Sequence, residues 1–158
     1  MSLQRAWNLD RSVWERLALV APADKWRNVP FTEFHQETVP AAQGVYAFAG
    51  GPDSRILDGG PYSKLFNVVY VGSAKNLRSR FRQHLRGDRP QMKQALNAFP
   101  ALTFFYLKTP ETKPQYVEQV LVDALGPPAN QIRAVAVAKL PPLSAKLGEA
   151  RPAQGRDQ

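Results

Sequence analysis

Arg80 and His84 lie four residues apart in NLRSRFRQHLR (76–86), a stretch in which Leu77, Phe81 and Leu85 recur at helical spacing. At roughly 100° per residue, Arg80 and His84 project to one side of that apolar stripe, and Arg78, Arg82 and Arg86 to the other. A guanidinium and an imidazole beside a buried stripe can face a cleft and act on a phosphate. The other three arginines are then free to track a nucleic-acid backbone. A cationic, solvated helix gives the same pattern, and this helix taken alone favours that plainer reading.

Tyr46 and Tyr70 sit in the short β-type runs GVYAFA (44–49) and NVVYVG (67–72), each close to a glycine. A phenol can relay a proton or hold a water, but its free pKa of about 10 makes it a base only where cations lower that value. Two strand tyrosines are equally consistent with core packing. Glu118 falls at the edge of the buried face of a helix, beside Val117, Leu121 and Val122. A single carboxylate there can carry Mg²⁺ whose remaining positions go to water and phosphate oxygens, or it can form a salt bridge.

The elements that must position these groups follow from periodicity. Residues 3–21 predict a helix, with Ser12 and Glu15 at capping-box spacing and Trp7, Val13, Trp14 and Leu17 as its apolar stripe. Residues 22–43 show no period and read as an ordered arm, in which Trp26, Phe31 and Phe34 need packing partners. The strands at 44–49 and 67–72 suggest a hairpin around a loop at 50–66. Helices are predicted at 76–86, stopped by Gly87, at 90–98, and from Pro110 to Leu125, stopped by Gly126-Pro127-Pro128. Leu102–Lys108 forms a third strand, 131–137 a small edge strand, and the segment from about 139 onward a basic, mobile tail. Strand, strand, helix, helix, strand, helix describes an α+β fold: a small central antiparallel β-sheet flanked by helices, with an N-terminal helical extension.

At 158 residues and 44% apolar content the chain has enough material for one globular domain. Its 21 Lys and Arg against 13 Asp and Glu give a net charge of +8, which makes a nucleic acid a serious candidate partner. Cysteine is absent, which removes disulfides, thiolate metal sites and a Cys nucleophile. Zinc would have only His35, His84 and carboxylates, a poor set. No apolar run approaches a membrane span, and the first residues lack a signal-peptide core, so a soluble cytoplasmic protein is expected.

The run GVY…VYVGSAKNLRSRFRQHL…EQVLVDALGPPANQ resembles the GIY-YIG nuclease superfamily over residues 44–131. Gly44-Val45-Tyr46 and Tyr70-Val71-Gly72 match its two name motifs. Arg80 matches its catalytic Arg, His84 a position that is often His or Tyr, Glu118 its metal-binding Glu and Asn130 its Asn. Two features depart from the pattern. The gap between Tyr46 and Tyr70 holds 23 residues, longer than in compact members. The residue after Tyr70-Val71-Gly72, often Lys, is Ser73, and Lys75 lies in a different register.

The resemblance implies a metal-dependent DNA endonuclease that leaves a 5′-phosphate and a 3′-hydroxyl. Glu118 would hold one Mg²⁺ or Mn²⁺, and Arg80 would bind non-bridging oxygens. One of the two tyrosines would serve as base, with Tyr46 preferred and Tyr70 in support, though the sequence does not decide between them; His84 would assist as a proton acceptor, and Asn130 would fix Glu118 or the strand. Lys75, Arg78, Arg82 and Arg86 would contact DNA. A catalytically inactive nucleic-acid-binding domain is the alternative. The expected division is an N-terminal helical extension and arm (1–43), a nuclease domain (44–138) and a basic tail (139–158). No second protein or membrane partner is implied.

Overall fold

A computed structural model describes residues 8–50, 67–99 and 101–131. Residues 51–66 of the loop expected at 50–66, residues 132–137 of the strand expected at 131–137, the tail and Trp7 fall outside these. Helix α1 (Arg11–Val20) is followed by strand β1 (Arg27–Pro30), strand β2 (Gly44–Gly50) and strand β3 (Asn67–Ala74). Helices α2 (Leu77–Leu85) and α3 (Pro90–Ala98), strand β4 (Leu102–Lys108), helix α4 (Pro114–Leu125) and the single turn α5 (Pro128–Gln131) complete it. The strands form one antiparallel sheet in the order β1-β4-β2-β3.

The α+β sheet-and-helix expectation holds, with a strand in a segment where the sequence suggests none. The arm supplies it: Arg27–Pro30 pairs along β4, so the sheet crosses the expected division at residues 43 and 44. A four-residue edge strand containing a proline is too short to show a two-residue period. Helix α1 starts at Arg11, and its cap is Asp10, whose carboxylate accepts the Ser12 amide; the Ser12–Glu15 capping box expected from spacing does not form. Helix α4 starts at Pro114, where a missing N–H costs nothing, and stops at Gly126, whose φ of 54° suits glycine.

Side-chain alternation divides the core between the two faces of the sheet. On one face, Tyr46, Phe48, Phe104 and Val29 pack with Leu77 and Phe81 of α2 and Met92 of α3. Phe81 meets Phe31 and Phe104 edge-on, with centroids at 5.1 and 4.9 Å. On the other face, Val45, Ala47, Val71 and Leu107 pack with Val117 and Leu121 of α4, and Leu17 of α1 covers part of this layer. Trp26 and Phe31 find partial cover as expected, whereas Phe34 does not: it is 94% exposed on a short 3₁₀ turn.

The outward face of α2 holds the arm in place. Arg78 donates from Nε to the Val39 carbonyl at 2.7 Å and from a terminal nitrogen to the Glu37 carbonyl at 3.1 Å. Arg78 and Arg82 both pair with the Glu37 carboxylate, and Arg86 pairs with Asp88 at 3.6 Å. Since Val39 is fully buried, the bond to its carbonyl is the costly one to lose. Arg78→Gln is therefore expected to lower unfolding stability by about 1.5 kcal/mol. A urea titration reads this, and an unchanged midpoint would show that α2 does not anchor the arm.

Candidate active site

Gly72 of β3 lies opposite Tyr46 of β2, and the Tyr46 ring lies so close over it that a Cβ at Gly72 would collide with the phenol. The glycine is needed for that close approach. Tyr46 stacks on Phe104 with centroids 5.4 Å apart and is 1% exposed. Its hydroxyl lies 2.9 Å from Nε2 of His84, which α2 carries one turn beyond Arg80. The same hydroxyl is hydrogen-bonded to Tyr70, and an Arg89 guanidinium nitrogen donates to the Tyr70 oxygen at 3.4 Å. Tyr46, Tyr70 and His84 thus form one connected cluster on the α2 face of the sheet.

Burial dominates the electrostatics of that cluster, and Arg80 and Arg89 modulate it. Burial raises Tyr46 well above an ordinary phenol, with Tyr70 adding to the rise and the two arginines opposing it. His84 is pushed down to about 3 by burial first, then by Arg89 and Arg80. Its imidazole is therefore neutral near pH 7. His84 Nδ1 is buried without a hydrogen-bond partner among the described residues.

Glu118 approaches β3 from the other face. Its carboxylate accepts the hydroxyl of Ser73, the residue next to Gly72. The phenol and the carboxylate therefore meet β3 at consecutive residues, from opposite sides of the strand. A cleft of about 320 Å³ opens at Ser73, and its lining includes Lys75, Arg80 and Gln115 but neither phenol. Asn130, on α5, engages neither group. Its amide accepts the Val71 N–H at 2.8 Å and donates to the Val71 carbonyl at 2.6 Å, as a neighbouring strand would.

Of the residues singled out by sequence, Tyr46, Tyr70 and His84 touch one another, with Arg80 close enough to shift two of them. Lys75 lines the cleft with Arg80, while Arg78 and Arg82 face Glu37. Arg89 was not foreseen. It lies in the turn after Gly87, where no periodic pattern marks a residue for the site. Among the described residues no three His, Asp or Glu side chains gather as metal ligands, and no helix is long and apolar enough to cross a membrane.

The sequence model of the GIY-YIG catalytic domain matches residues 62–130, a stretch that holds Tyr70, Arg80, His84, Glu118 and Asn130 but not Tyr46. The family resemblance is thereby borne out over residues 62–130, which match the GIY-YIG catalytic domain. Among solved structures, the magnesium-bound GIY-YIG N-terminal endonuclease domain of UvrC from Thermotoga maritima is 17% identical. The alignment spans 77% of this chain and 99% of that one, with a TM-score of 0.42. A point mutant of that domain, bound to its catalytic divalent cation, is 16% identical over 77% of this chain and 97% of that one, also at 0.42. None of the curated proteins matches the chain significantly.

The neutral, buried imidazole has a measurable consequence. A histidine in the unfolded chain takes its proton near pH 6.5, whereas folded His84 takes it only near 3. The unfolded state binds the extra proton throughout that window, so this contribution to stability is complete above pH 6.5 and is lost as pH falls toward 3. Wild type should lose up to about 1.4 kcal/mol per pH unit more than His84→Gln across the window. Denaturant titrations at several pH values measure the difference, and parallel curves would exclude a neutral buried His84.

Proposed function

We propose that this chain is a metal-dependent endonuclease that hydrolyses DNA phosphodiester bonds, leaving a 5′-phosphate and a 3′-hydroxyl. The observation that carries this reading is the Tyr70 oxygen. It is bonded to the Tyr46 hydroxyl and to Arg89, while Arg80 and Ser73, the hydrogen-bond partner of Glu118, line one cleft.

The donor set suits a hard divalent cation. Glu118 is a partly exposed single carboxylate that accepts the Ser73 hydroxyl, and Mg²⁺ or Mn²⁺ bound through one carboxylate completes its shell with water and phosphate oxygens. Such an ion would supply positive charge to the scissile phosphate and the leaving oxygen. Ser73, where related nucleases often carry Lys, leaves the neutralisation of the remaining phosphate charge to Arg80, Lys75 and Arg89.

The hydrogen-bond directions support Tyr70, rather than Tyr46, as the group that takes the proton from the attacking water. A buried N–H without a partner is rarer than an unpaired acceptor, so the proton of His84 belongs on Nε2, with Nδ1 bare. Nε2–H then donates to the Tyr46 oxygen, and the Tyr46 hydroxyl donates to Tyr70. With Arg89 as second donor, negative charge developing on the Tyr70 oxygen is met by two hydrogen bonds. Tyr46 is the more buried phenol and is raised well above its ordinary value, which suits a donor in this chain better than a base facing water. Arg80 holds the non-bridging oxygens. Asn130 is a positioning residue, acting through the β3 backbone.

The alternative, a domain that binds nucleic acid without cutting it, is favoured by the Ser73 hydroxyl already engaging Glu118. Incubation with labelled single-stranded, duplex, flapped and branched DNA, with Mg²⁺ or with chelator, separates the two. Glu118→Ala should abolish cleavage while leaving most DNA affinity intact; turnover at the wild-type rate would refute the metal assignment. Arg80→Ala should lower the single-turnover rate on the order of 10²–10³-fold. Tyr70→Phe should lose more activity than Tyr46→Phe at equal thermal stability, and the reverse order would return the base to Tyr46.

A further inference from the structure

A second basic groove lies at the same end of the sheet as the cleft, on the side the arm builds. Its volume is about 830 Å³, and Lys25, Arg27 and Lys108 line it, with Glu111 as the opposing charge. Lys25 lies 4.0 Å from Asp24 and its side chain is 68% exposed, and Arg27 and Lys108 are also exposed. The half-buried ring of Tyr106 forms part of the wall. Thr109 also lines the groove; it is 5% exposed, and its hydroxyl has no hydrogen-bond partner among the described residues. A nearly buried hydroxyl left unpaired is costly, and a ligand oxygen could satisfy it.

The sheet register connects groove and cleft. Gly44 pairs with Lys108 on one side and with Ala74 on the other. Lys108 lines the groove and Ala74 the cleft, and with strands spaced at ~4.8 Å the two residues stand about 10 Å apart. A flexible polyanion leaving the cleft past Lys75 therefore reaches Lys108 across one strand. Cations along a concave track with an aromatic wall are the chemistry of single-stranded nucleic acid, whose backbone follows the charges while a base stacks on the ring. A duplex, being convex and stiff, fits such a hollow poorly.

We infer that this groove binds a single-stranded segment flanking the cut site, through Lys25, Arg27 and Lys108 to phosphates, Tyr106 to a base and the Thr109 hydroxyl to a backbone oxygen. The inference rests on the nuclease reading for its link to a cut site, and it predicts a substrate with a single-stranded tail.

Binding in chelator, where no cutting occurs, tests it on the whole chain. Lys25→Gln combined with Lys108→Gln alters only exposed side chains. It should weaken affinity for a duplex with a single-stranded tail and flatten the log–log salt dependence by about 0.7 for each lost contact. Affinity for the blunt duplex should be unchanged. Thr109→Val, which removes a hydroxyl that has no partner within the described protein, should keep thermal stability and weaken tailed binding alone. A photoreactive base in the tail should crosslink to Tyr106. An unchanged salt slope on the tailed substrate, an equal loss on the blunt duplex, or crosslinks confined to the cleft would each overturn the inference. If Mg²⁺ produces no cleavage while the tail still binds and crosslinks in the groove, the nuclease reading fails and the groove assignment stands.

Discussion

The paired hydrogen bonds between the Asn130 amide and the Val71 backbone hold the strand on which the site is built. Among the described residues β3 stands at the edge of the sheet, and there the outward N–H and C=O of Val71 have no neighbouring strand to bond. Asn130 supplies both partners from α5, offering donor and acceptor in the geometry of a peptide. Tyr70 and Gly72 flank Val71 and Ser73 follows, and they respectively carry the phenol, the gap for Tyr46 and the hydroxyl on Glu118. Displacing β3 by a fraction of an ångström would disturb all three contacts together.

Within that frame the aromatic core and the site are the same side chains. Tyr46 stacks on Phe104, and its hydroxyl meets His84 beneath a helix anchored by Leu77 and Phe81. Close packing holds the phenols in fixed rotamers, so their hydrogen-bond directions are set before any ligand arrives. Burial first, and then the two arginines, keep the imidazole neutral.

The sequence placed the site's vocabulary well. Glycine-flanked tyrosines on strands, Arg80 and His84 one turn apart, and Glu118 at a helix-face edge are local patterns, and local spacing survives folding. The same spacing did not reveal the partners of the outer face of α2. Arg78, Arg82 and Arg86 form a clean cationic row by projection, yet Glu37 and the carbonyls of the arm claim the first two. It also missed Arg89, whose place beside Tyr70 depends on how the turn after Gly87 folds back.

Sequence alone determined which residues could do chemistry, the strands and helices that carry them and the glycines that end those helices, because each is written in intervals of two to four residues. Tertiary structure decided the partners. Arg27–Pro30 becomes a strand only because β4 lies beside it, and Asn130 finds Val71 at a separation of 59 residues. It also set the depth of each phenol, and with it the order of donors from His84 through Tyr46 to Tyr70. Burial and pairing depend on atoms far apart along the chain, and no local interval records them.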